Sequence, residues 1–476
     1  MRSLRRDGAA NPARTGHDGS GLSRREILAG GIGAGALIAL PDIGLGGRPG
    51  RQPLKSGGNA SRHAFLYGMT DPGASLAASV SAARYPAPRS TAPRGPVPVA
   101  VKLAAAPVSS PDHETTALAT VETVAGGARV TLSLLDVSSA AIVRQESVTI
   151  HGVPAEASIL VTPVFAPGSA VICLVMAITL PVGKRMIHKA DPHHGGMVKL
   201  WATTWRSHHA LAYFDRRSGS VAGPFHLAGD PSLALSTAAA STSHLFLWTT
   251  REPQHGDSAE IRARAHLSQV RAFPLGSGKA RFSVSAPAPW PGGEPVVTLP
   301  GGDAARLVRG RDVQVCSART GDVTELTVDL LSAIRARPSA ITMQTCPDDT
   351  VFMTKPGAGV AVVADPAHSF RVKSHVRFPA PASPLGAPWS KAVLSPAGDT
   401  LYVLGSAAAG GICAYDMASG ALAGSYSEGR HYAGLYQLPS GTLLAVAPEN
   451  PRLAYFSPAL SPLGTADTTL RVSAVF

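Results

Sequence analysis

This sequence of 476 residues lacks the motifs by which several large enzyme classes are recognised. It has no glycine-rich phosphate-binding loop, no G-x-S-x-G nucleophile motif, and no G-x-G-x-x-G that opens a helix after a strand. Its acidic residues do not cluster at a spacing typical of general acid–base catalysis. These absences exclude assignment to P-loop nucleotide hydrolases, α/β-hydrolases or dinucleotide-dependent dehydrogenases on motif evidence.

Charged residues are few and are not arranged for nucleic-acid binding. They make up 16% of the chain, and aromatic residues make up 5%. The formal net charge is +12, but residues 1–60 hold 9 Lys and Arg against 4 Asp and Glu, which leaves 34 against 27 for the rest. The basic residues of that remainder are scattered, without a Lys/Arg-rich stripe interleaved with aromatic residues. We therefore expect no nucleic-acid partner.

Long apolar runs are also missing. The best candidate is the stretch ILAGGIGAGALIAL, which at about 14 residues is too short for a normal transmembrane helix. It is preceded by Ser23-Arg24-Arg25-Glu26, so two arginines stand directly before a weakly hydrophobic run. This arrangement resembles a twin-arginine export signal, with Ile27 and Ala29 in place of the Phe and Lys of the family consensus.

The resemblance implies that residues 1–45 are a signal segment whose recognition residues are Ser23, Arg24, Arg25 and Leu28. It also implies a first partner, the twin-arginine export machinery, and an extracytoplasmic location, either secreted or at the cell envelope. An ordinary arginine-rich leader is the alternative. No Cys follows the run, which excludes a lipoprotein anchor, and no A-x-A site follows closely, so cleavage stays open.

What the sequence does contain is one short pattern that occurs seven times. Its clearest copy is LAYFDRRSGSV at Leu211–Val221, and the other copies begin at residues 132, 270, 313, 361, 412 and 453. Asp or Ser at the fifth position can accept hydrogen bonds from the backbone just ahead, and Gly at the ninth tolerates positive φ. Each copy therefore predicts a β-hairpin. Most spacings between copies, 41 to 51 residues, match one four-stranded propeller blade, and the two longer spacings, 79 and 59 residues, require insertions.

The repeat units resemble the bacterial YVTN/quinoprotein-like relatives of the WD-repeat propellers. The match is best at Leu401-Tyr402-Val403 and at Asp416 with Ser419-Gly420, and it runs at repeat level from Thr115 to the C-terminus. The resemblance implies an all-β fold, a seven-bladed β-propeller over residues 113–476.

The residues before the propeller, 46–112, are rich in Gly, Pro and Ala and are expected to form a flexible linker with an isolated strand at Ala64–Tyr67. Val97–Leu103 is a candidate inner strand for the first blade. A closed ring must tie its ends together. Either His63–Tyr67 pairs with the last blade or Leu470–Phe476 joins a terminal blade, and the sequence leaves this choice open.

Four cysteines, Cys173, Cys316, Cys346 and Cys413, each fall in or beside a predicted strand, and none belongs to a C-x-x-C motif. A lone Cys in a strand is usually a small buried apolar residue. In an exported protein, a disulfide between Cys316 and Cys346 is the alternative, because these residues lie in adjacent repeat units.

Two repeat units are longer than the others. The extra residues map to second-to-third-strand loops, Pro181–His209 in the second unit and Thr249–Leu267 in the third. In propellers such loops surround the mouth of the central channel, opposite the Asp-containing turns. Two long loops from adjacent blades therefore predict a wall or lid over this face.

Histidines and carboxylates accumulate in these two insertions, and they are the candidates for a divalent metal site. Imidazole and carboxylate suit zinc, iron or copper. The spacing matches no compact motif such as H-E-x-x-H, and neighbouring strand residues point to opposite faces, so at most one member of each His-His pair can bind one metal. A solvated polar loop is the other interpretation, and no motif indicates another cofactor. The candidate ligands are His193, His194, His208, His209, His255 and Asp257.

These observations favour an exported monomeric propeller that binds or scaffolds an unidentified protein, peptide or glycan. The alternative is an extracytoplasmic propeller enzyme, similar to lactonases, lyases or quinoproteins, with a metal or cofactor near the His-bearing loops. We expect Trp201 and Trp205 to pack within a β-arm rather than to form a substrate platform.

Overall fold

The computed structural model describes the sheet-forming parts of the chain from residue 64 onward. The described residues are 64–69, 78–83, 97–100, 108–110, 115–136, 141–190, 197–251, 267–287, 295–308, 312–328, 342–346, 348–355, 359–378, 389–405, 411–427, 432–438, 441–447, 452–467 and 471–475. The predicted signal segment, residues 1–45, lies outside them. Among the described residues, none forms a helix with the length and apolarity that a membrane crossing requires.

Short antiparallel strands make up almost all of this structure. In chain order they are β1 (Ala64–Met69), β2 (Ala78–Ala83), β3 (Val97–Ala100), β4 (Val108–Ser109), β5 (Thr115–Val124), β6 (Gly127–Asp136), β7 (Ala141–His151), β8 (Ser158–Phe165), β9 (Val171–Ala190), β10 (Met197–Asp215), β11 (Val221–Leu227), β12 (Leu233–Ala240), β13 (His244–Arg251), β14 (Leu267–Pro274), β15 (Phe282–Pro287) and β16 (Val296–Thr298). They continue with β17 (Ala304–Val308), β18 (Asp312–Cys316), β19 (Val323–Thr327), β20 (Thr342–Thr345), β21 (Val351–Lys355), β22 (Val360–Asp365), β23 (Arg371–Arg377), β24 (Trp389–Leu394), β25 (Thr400–Gly405), β26 (Ile412–Asp416), β27 (Leu422–Tyr426), β28 (Gly434–Gln437), β29 (Leu443–Val446), β30 (Arg452–Phe456), β31 (Pro462–Asp467) and β32 (Arg471–Val475). A 3₁₀ turn, Pro366–His368, follows β22.

Seven consecutive sheets each contain four strands in chain order. We number them sheet 1 (β4–β7), sheet 2 (β8–β11), sheet 3 (β12–β15), sheet 4 (β16–β19), sheet 5 (β20–β23), sheet 6 (β24–β27) and sheet 7 (β28–β31). Each of the seven sequence repeats supplies the third and fourth strands of one sheet. The all-β propeller predicted from the repeats is confirmed.

An eighth four-stranded sheet joins the two ends of the described chain. In sheet 8 the order is β3-β2-β1-β32, so β32 follows sheet 7 in sequence and then pairs with β1. The seven repeats therefore account for seven of eight sheets. Sheet 8 contains no copy of the repeat, so the number of repeats did not predict it.

Sheet 8 also corrects two expectations about residues 46–112. Ala64–Met69 is not an isolated strand, because it pairs with both Ala78–Ala83 and Arg471–Val475. Val97–Ala100 is the outer strand of sheet 8, and the inner strand of sheet 1 is Val108–Ser109 instead. The two alternatives for ring closure are both partly right, because the N-terminal strand and the C-terminal strand pair with each other.

The core lies between the sheets and not within any of them. Strand β13 illustrates the pattern, since Leu245 and Leu247 pack toward sheet 2 whereas Phe246 and Trp248 pack toward sheet 4. All four side chains are fully buried. Equivalent apolar clusters join every neighbouring pair from sheets 1 and 2 to sheets 6 and 7. Each large buried side chain contributes roughly 1.5–3 kcal/mol, so repeated stacking stabilises strands that are individually short.

The repeat turns form as their residue types predict. The Asp215 carboxylate accepts hydrogen bonds from the backbone N–H groups of Arg217 and Ser218 at 2.7 and 2.9 Å, and Gly219 has φ of 77°. The carboxylate of Asp416 accepts from the Ser419 backbone N–H at 2.7 Å, and Gly420 has φ of 71°.

Copies without the Asp or Gly keep the turn by other means. Ser457 accepts through its hydroxyl from the Ser461 N–H at 3.1 Å. Leu460 takes positive φ of 59°, a conformation that costs a branched side chain more than it costs Gly. This turn therefore forms although its sequence lacks both the Asp and the Gly of the repeat.

The proposed disulfide between Cys316 and Cys346 is absent, and all four cysteines are free. Cys316 packs in the cluster between sheets 3 and 4, whereas Cys346 packs in the cluster between sheets 5 and 6. The two thiols therefore lie in different interfaces between sheets, and the adjacency of their repeat units does not bring them together. Burial raises the pKa of Cys316 to about 12 and that of Cys346 to about 11, which keeps both thiols protonated and unreactive.

The turn glycine of sheet 6 gives a direct test of this fold. We expect Gly420→Ala to lower the free energy of unfolding by about 1 kcal/mol, because Ala tolerates the left-handed conformation poorly although there is space for its Cβ. Gly424→Ala, in β27 of the same sheet, has open space and no positive φ, and it should be neutral or slightly stabilising. Denaturant unfolding of both variants measures the difference. Equal effects would contradict the assigned turn.

Candidate functional site: the channel-mouth face and its projecting arm

The two ends of the sheets differ in what they carry. The hydrogen-bonded Asp and Ser turns join third to fourth strands, as at Asp215 and Asp416. Because the strands are antiparallel, the connections between second and third strands emerge at the opposite end. We call that end the mouth face. The two long insertions predicted from the sequence start and finish there.

The first insertion continues strands β9 and β10 as a paired hairpin and is not an irregular loop. Strands β9 and β10 stay paired from Val171–Asp215 outward to Ala190–Met197. The neighbouring strand β8 pairs no further than Thr179, and β11 no further than His209. Beyond these points two strands continue alone, and we call them the arm (residues 180–190 and 197–208). At about 3.3 Å per residue, the arm extends roughly 35 Å past the sheet.

The base of the arm is fixed to the propeller by backbone and side-chain contacts. The Ser207 N–H donates to the Pro231 carbonyl oxygen at 2.7 Å, which ties the arm to the connection between sheets 2 and 3. Lower in the same strand, the Tyr213 hydroxyl donates to the Ser277 carbonyl oxygen at 2.8 Å. A register shift between Thr204 and Trp205 marks the point where the arm leaves the sheet. The arm is therefore held at a defined position.

Further out, the arm exposes large apolar side chains to solvent. Trp201 is 68% exposed and lies directly across the hairpin from Met186, which is 49% exposed. Val182 is 47% exposed. Alternation along the strands places Met186 and Trp201 on one face together with the exposed Lys184 and Lys199, and Val182 is the unpaired residue at the register shift beside them. Trp201 therefore does not pack within the arm as the sequence analysis expected, whereas Trp205 is half-buried.

Of the six candidate metal ligands, the structure describes only two. His208 is exposed and His209 is buried, so the prediction that a His-His pair divides between two environments is confirmed. His193, His194, His255 and Asp257 lie outside the described residues, as does most of the second insertion (252–266). Within the described residues, no group of three or more His, Cys, Asp or Glu side chains is placed to hold a metal ion. A metal site that includes the undescribed ligands stays a prediction.

His209 sits in a dry environment at the base of the arm. It is 5% exposed, and its Nε2 atom is buried without a hydrogen-bond partner. Burial, together with the positive charges of Arg271 and His208, lowers the pKa of His209 to about 4. The imidazole is therefore neutral at physiological pH and helps to seat the arm against sheet 3.

Buried polar residues below the mouth face were missed by the sequence analysis. Arg306 is fully buried, donates to the Ser268 hydroxyl at 3.2 Å and to Gln314 Oε1 at 3.0 Å, and lies 5.7 Å from the centre of the Trp248 ring. Its contacts link sheet 3 to sheet 4. One signal was available, because a charged residue at the centre of the otherwise apolar strand Ala304–Val308 is unusual.

Two further cations are buried near the same end. Arg271 is 6% exposed and donates to the Ala228 carbonyl oxygen at 2.8 Å. Lys355 is 3% exposed at the last position of β21, and burial lowers its pKa. Sheets 3 to 5 thus contain three buried cationic side chains, and the buried carboxylate of Asp312 lies at the same end of sheet 4.

Comparison with known proteins does not identify a family. No family model matches the chain, and no curated protein matches it. Among solved structures, apo AztD from Citrobacter koseri is similar, with 10% identity and a TM-score of 0.42 over 76% of this chain and 97% of that chain. Sqt1 of Chaetomium thermophilum, bound to the N-terminus of ribosomal protein L10, gives 14% identity and a TM-score of 0.35 over 70% and 91%.

A mitotic checkpoint complex structure gives 14% identity and a TM-score of 0.36 over 56% of this chain and 77% of that chain. Similarity at this level carries no argument about function. The propeller assignment rests on the sheets of this chain itself.

The environment of His209 predicts a pH-dependent stability. Its pKa in the folded protein, about 4, is below the ordinary value of 6.5, so the unfolded chain takes up the proton first. Above about pH 6.5, neutral His209 makes its full contribution to the free energy of unfolding. As the pH falls toward 4, the free energy of unfolding decreases by roughly 3 kcal/mol at most, because the unfolded chain binds the proton more tightly. His209→Gln should remove this part of the pH dependence of thermal unfolding.

His208→Gln is the matched control, since His208 belongs to the same dipeptide but is exposed. It should keep the wild-type dependence between pH 4 and pH 6.5. If both variants followed the wild-type curve, the dry environment assigned to His209 would be wrong.

Proposed function

We propose that the protein is an exported propeller of the YVTN/quinoprotein-like type that binds or scaffolds a protein, peptide or glycan at its mouth face. It is located outside the cytoplasm, either secreted or at the cell envelope. The arm forms one wall of the binding surface, and the ring supplies the rigid platform.

The observation that carries this proposal is the arm. A two-stranded ribbon is only marginally stable alone, and residues 180–190 and 197–208 add nothing to the pairing of β8 or β11. The ring therefore gains little core from the arm, in which Leu180 packs against the cluster between sheets 1 and 2. A segment that contributes little to stability and exposes Trp201 beside the mouth is better explained by contact with something outside the chain.

The remaining features of the site support binding. The base of the arm is fixed through Ser207 and His209, so the wall is preorganised, and preorganisation lowers the entropic cost of binding. The mouth face is built from connections of several sheets, the usual location of ligand sites on a rigid propeller scaffold.

Site-specific crosslinking tests the binding surface. A photo-crosslinking amino acid at His208, which is exposed at the base of the arm, should give discrete larger species in cells that produce the protein naturally. The same amino acid at Leu422, 57% exposed in the outer strand of sheet 6, is the control. Mass spectrometry identifies the crosslinked partner. Crosslinks at His208 no stronger than those at Leu422 would contradict a macromolecular ligand at the mouth face.

Export is tested by conservative replacement of the arginine pair. Arg24→Lys with Arg25→Lys should abolish the extracytoplasmic fraction of the full-length protein, because twin-arginine recognition depends on the guanidinium groups and not only on charge. Arg5→Lys with Arg6→Lys changes another arginine pair of the same N-terminal segment and should leave export unchanged. Immunoblots of cell fractions measure both. Wild-type export of the Arg24/Arg25 variant would exclude this route.

A further inference from the structure

We propose that the arm attaches the propeller to an anionic lipid surface. The contact is made by the arm face, which we define as Val182, Lys184, Met186, Lys199 and Trp201. This inference goes beyond ligand binding at the mouth face, since attachment uses the outer part of the arm and leaves the ring free.

Charge is the first argument. The two arm strands contain five cationic residues and no Asp or Glu. These residues are Lys184, Arg185, Lys189, Lys199 and Arg206. In the whole chain, by contrast, 43 Lys and Arg are accompanied by 31 Asp and Glu. A segment so free of carboxylates, projecting away from the ring, complements a negative surface.

The pattern on the arm face is the second argument. Lys184 lies between Val182 and Met186 along β9, and Lys199 is two residues from Trp201 along β10. Apolar and cationic side chains therefore alternate at short range on one face. The centres of protein–protein interfaces are depleted in Lys, so this mixture on the outer part of the arm is more typical of a lipid-facing surface than of the centre of a protein interface.

A lipid surface accepts the same mixture readily. Trp prefers the boundary between headgroups and acyl chains, and Val and Met side chains can enter that boundary. Lys side chains extend along apolar surface and place their ammonium groups among the phosphates. The arm face supplies each of these elements on a narrow ribbon that nothing else among the described residues covers.

A second copy of the chain fits less well as the occupant. Two arms would bring ten cationic side chains together without a carboxylate on either strand, in a protein whose formal net charge is already +12. Repulsion opposes such a pairing. An anionic bilayer therefore agrees better with the positive charge of the arm than a second copy of the chain does.

Vesicle flotation with the full-length protein tests the proposal. The probes are vesicles of phosphatidylcholine alone and of phosphatidylcholine mixed equally with phosphatidylglycerol. The wild type should float with the anionic vesicles at low salt, detach at high salt, and remain free of the neutral vesicles. Trp fluorescence should shift to shorter wavelength on binding, and Trp201→Phe should lose this shift.

Two pairs of variants separate the charged and apolar contributions. Lys184→Gln with Lys199→Gln should lower the partition coefficient by about 25-fold, at roughly fivefold for each lysine. Met186→Ser with Trp201→Ser should lower it by about tenfold or more. The charge control is Lys279→Gln with Arg319→Gln, two exposed turn residues. The apolar control is Leu422→Ser with Leu463→Ser, 57% and 38% exposed in other sheets.

Each alternative outcome overturns the proposal. No flotation with anionic vesicles, equal flotation with neutral vesicles, or loss of binding by the control pairs to the same extent would each reject the arm as a lipid-binding element. Sedimentation in the absence of vesicles detects the second-copy alternative, because a dimer abolished by Trp201→Ser would assign the arm face to self-association. Crosslinking at His208 is read independently, so failure of attachment leaves the proposed ligand binding open to its own test.

Discussion

Each of sheets 2 to 6 buries apolar side chains on both faces, and that constraint determines the rest of the structure. Strand β13 buries Leu245 and Leu247 on one side and Phe246 and Trp248 on the other, so sheet 3 needs a neighbour on each side. The same holds for sheets 2 to 6, and a linear stack of seven sheets would leave its two end sheets with an uncovered face. Sheet 8, built from β32 and β1–β3, follows sheet 7 and precedes sheet 1 along the chain, and it joins the two ends of the described chain.

Closure also explains why the arm has freedom to project. Once both faces of each blade are covered by neighbours, the ends of the strands are the remaining surfaces on which length can change without disturbing the core. The turn end is restrained by hydrogen bonds such as those of Asp215 and Asp416. At the mouth end, strands β9 and β10 extend beyond their partners, and the extension carries polar, cationic and apolar residues that the ring does not require. Sheet 2 thus contains both a part that packs within the ring and a part, the arm, that projects from it.

The seven sheets that contain the repeat were predictable from the sequence, whereas sheet 8 and the strand pairing of the arm were not. Seven copies of one hairpin pattern predicted seven sheets because each turn has a local chemical requirement, as at Asp416 and Gly420. Sheet 8 has no such turn, and it depends on pairing between distant strands, for which sequence patterns contain no local signal. The arm was predicted as a long loop between second and third strands from the length of its repeat unit, whereas its strands stay paired beyond the rest of the sheet.

The candidate site was predictable only in part. The insertions pointed to the correct end of the molecule, and the alternation rule correctly separated His208 from His209. The burial of His209 depends on how the arm meets sheet 3, a tertiary contact that the dipeptide does not encode. The failed disulfide has a similar cause, because residues in adjacent units can face opposite interfaces, as Cys316 and Cys346 do.

The pairing of Leu66 with Val475 has a consequence for the order of assembly. These residues are more than 400 positions apart, and contacts of such separation form late because the intervening chain must be organised first. Chains whose ends have not yet paired lack sheet 8, and incompletely folded β-sheet proteins expose apolar surface that favours aggregation. A transport route that accepts only folded cargo would therefore retain molecules in which β1 and β32 have not yet paired.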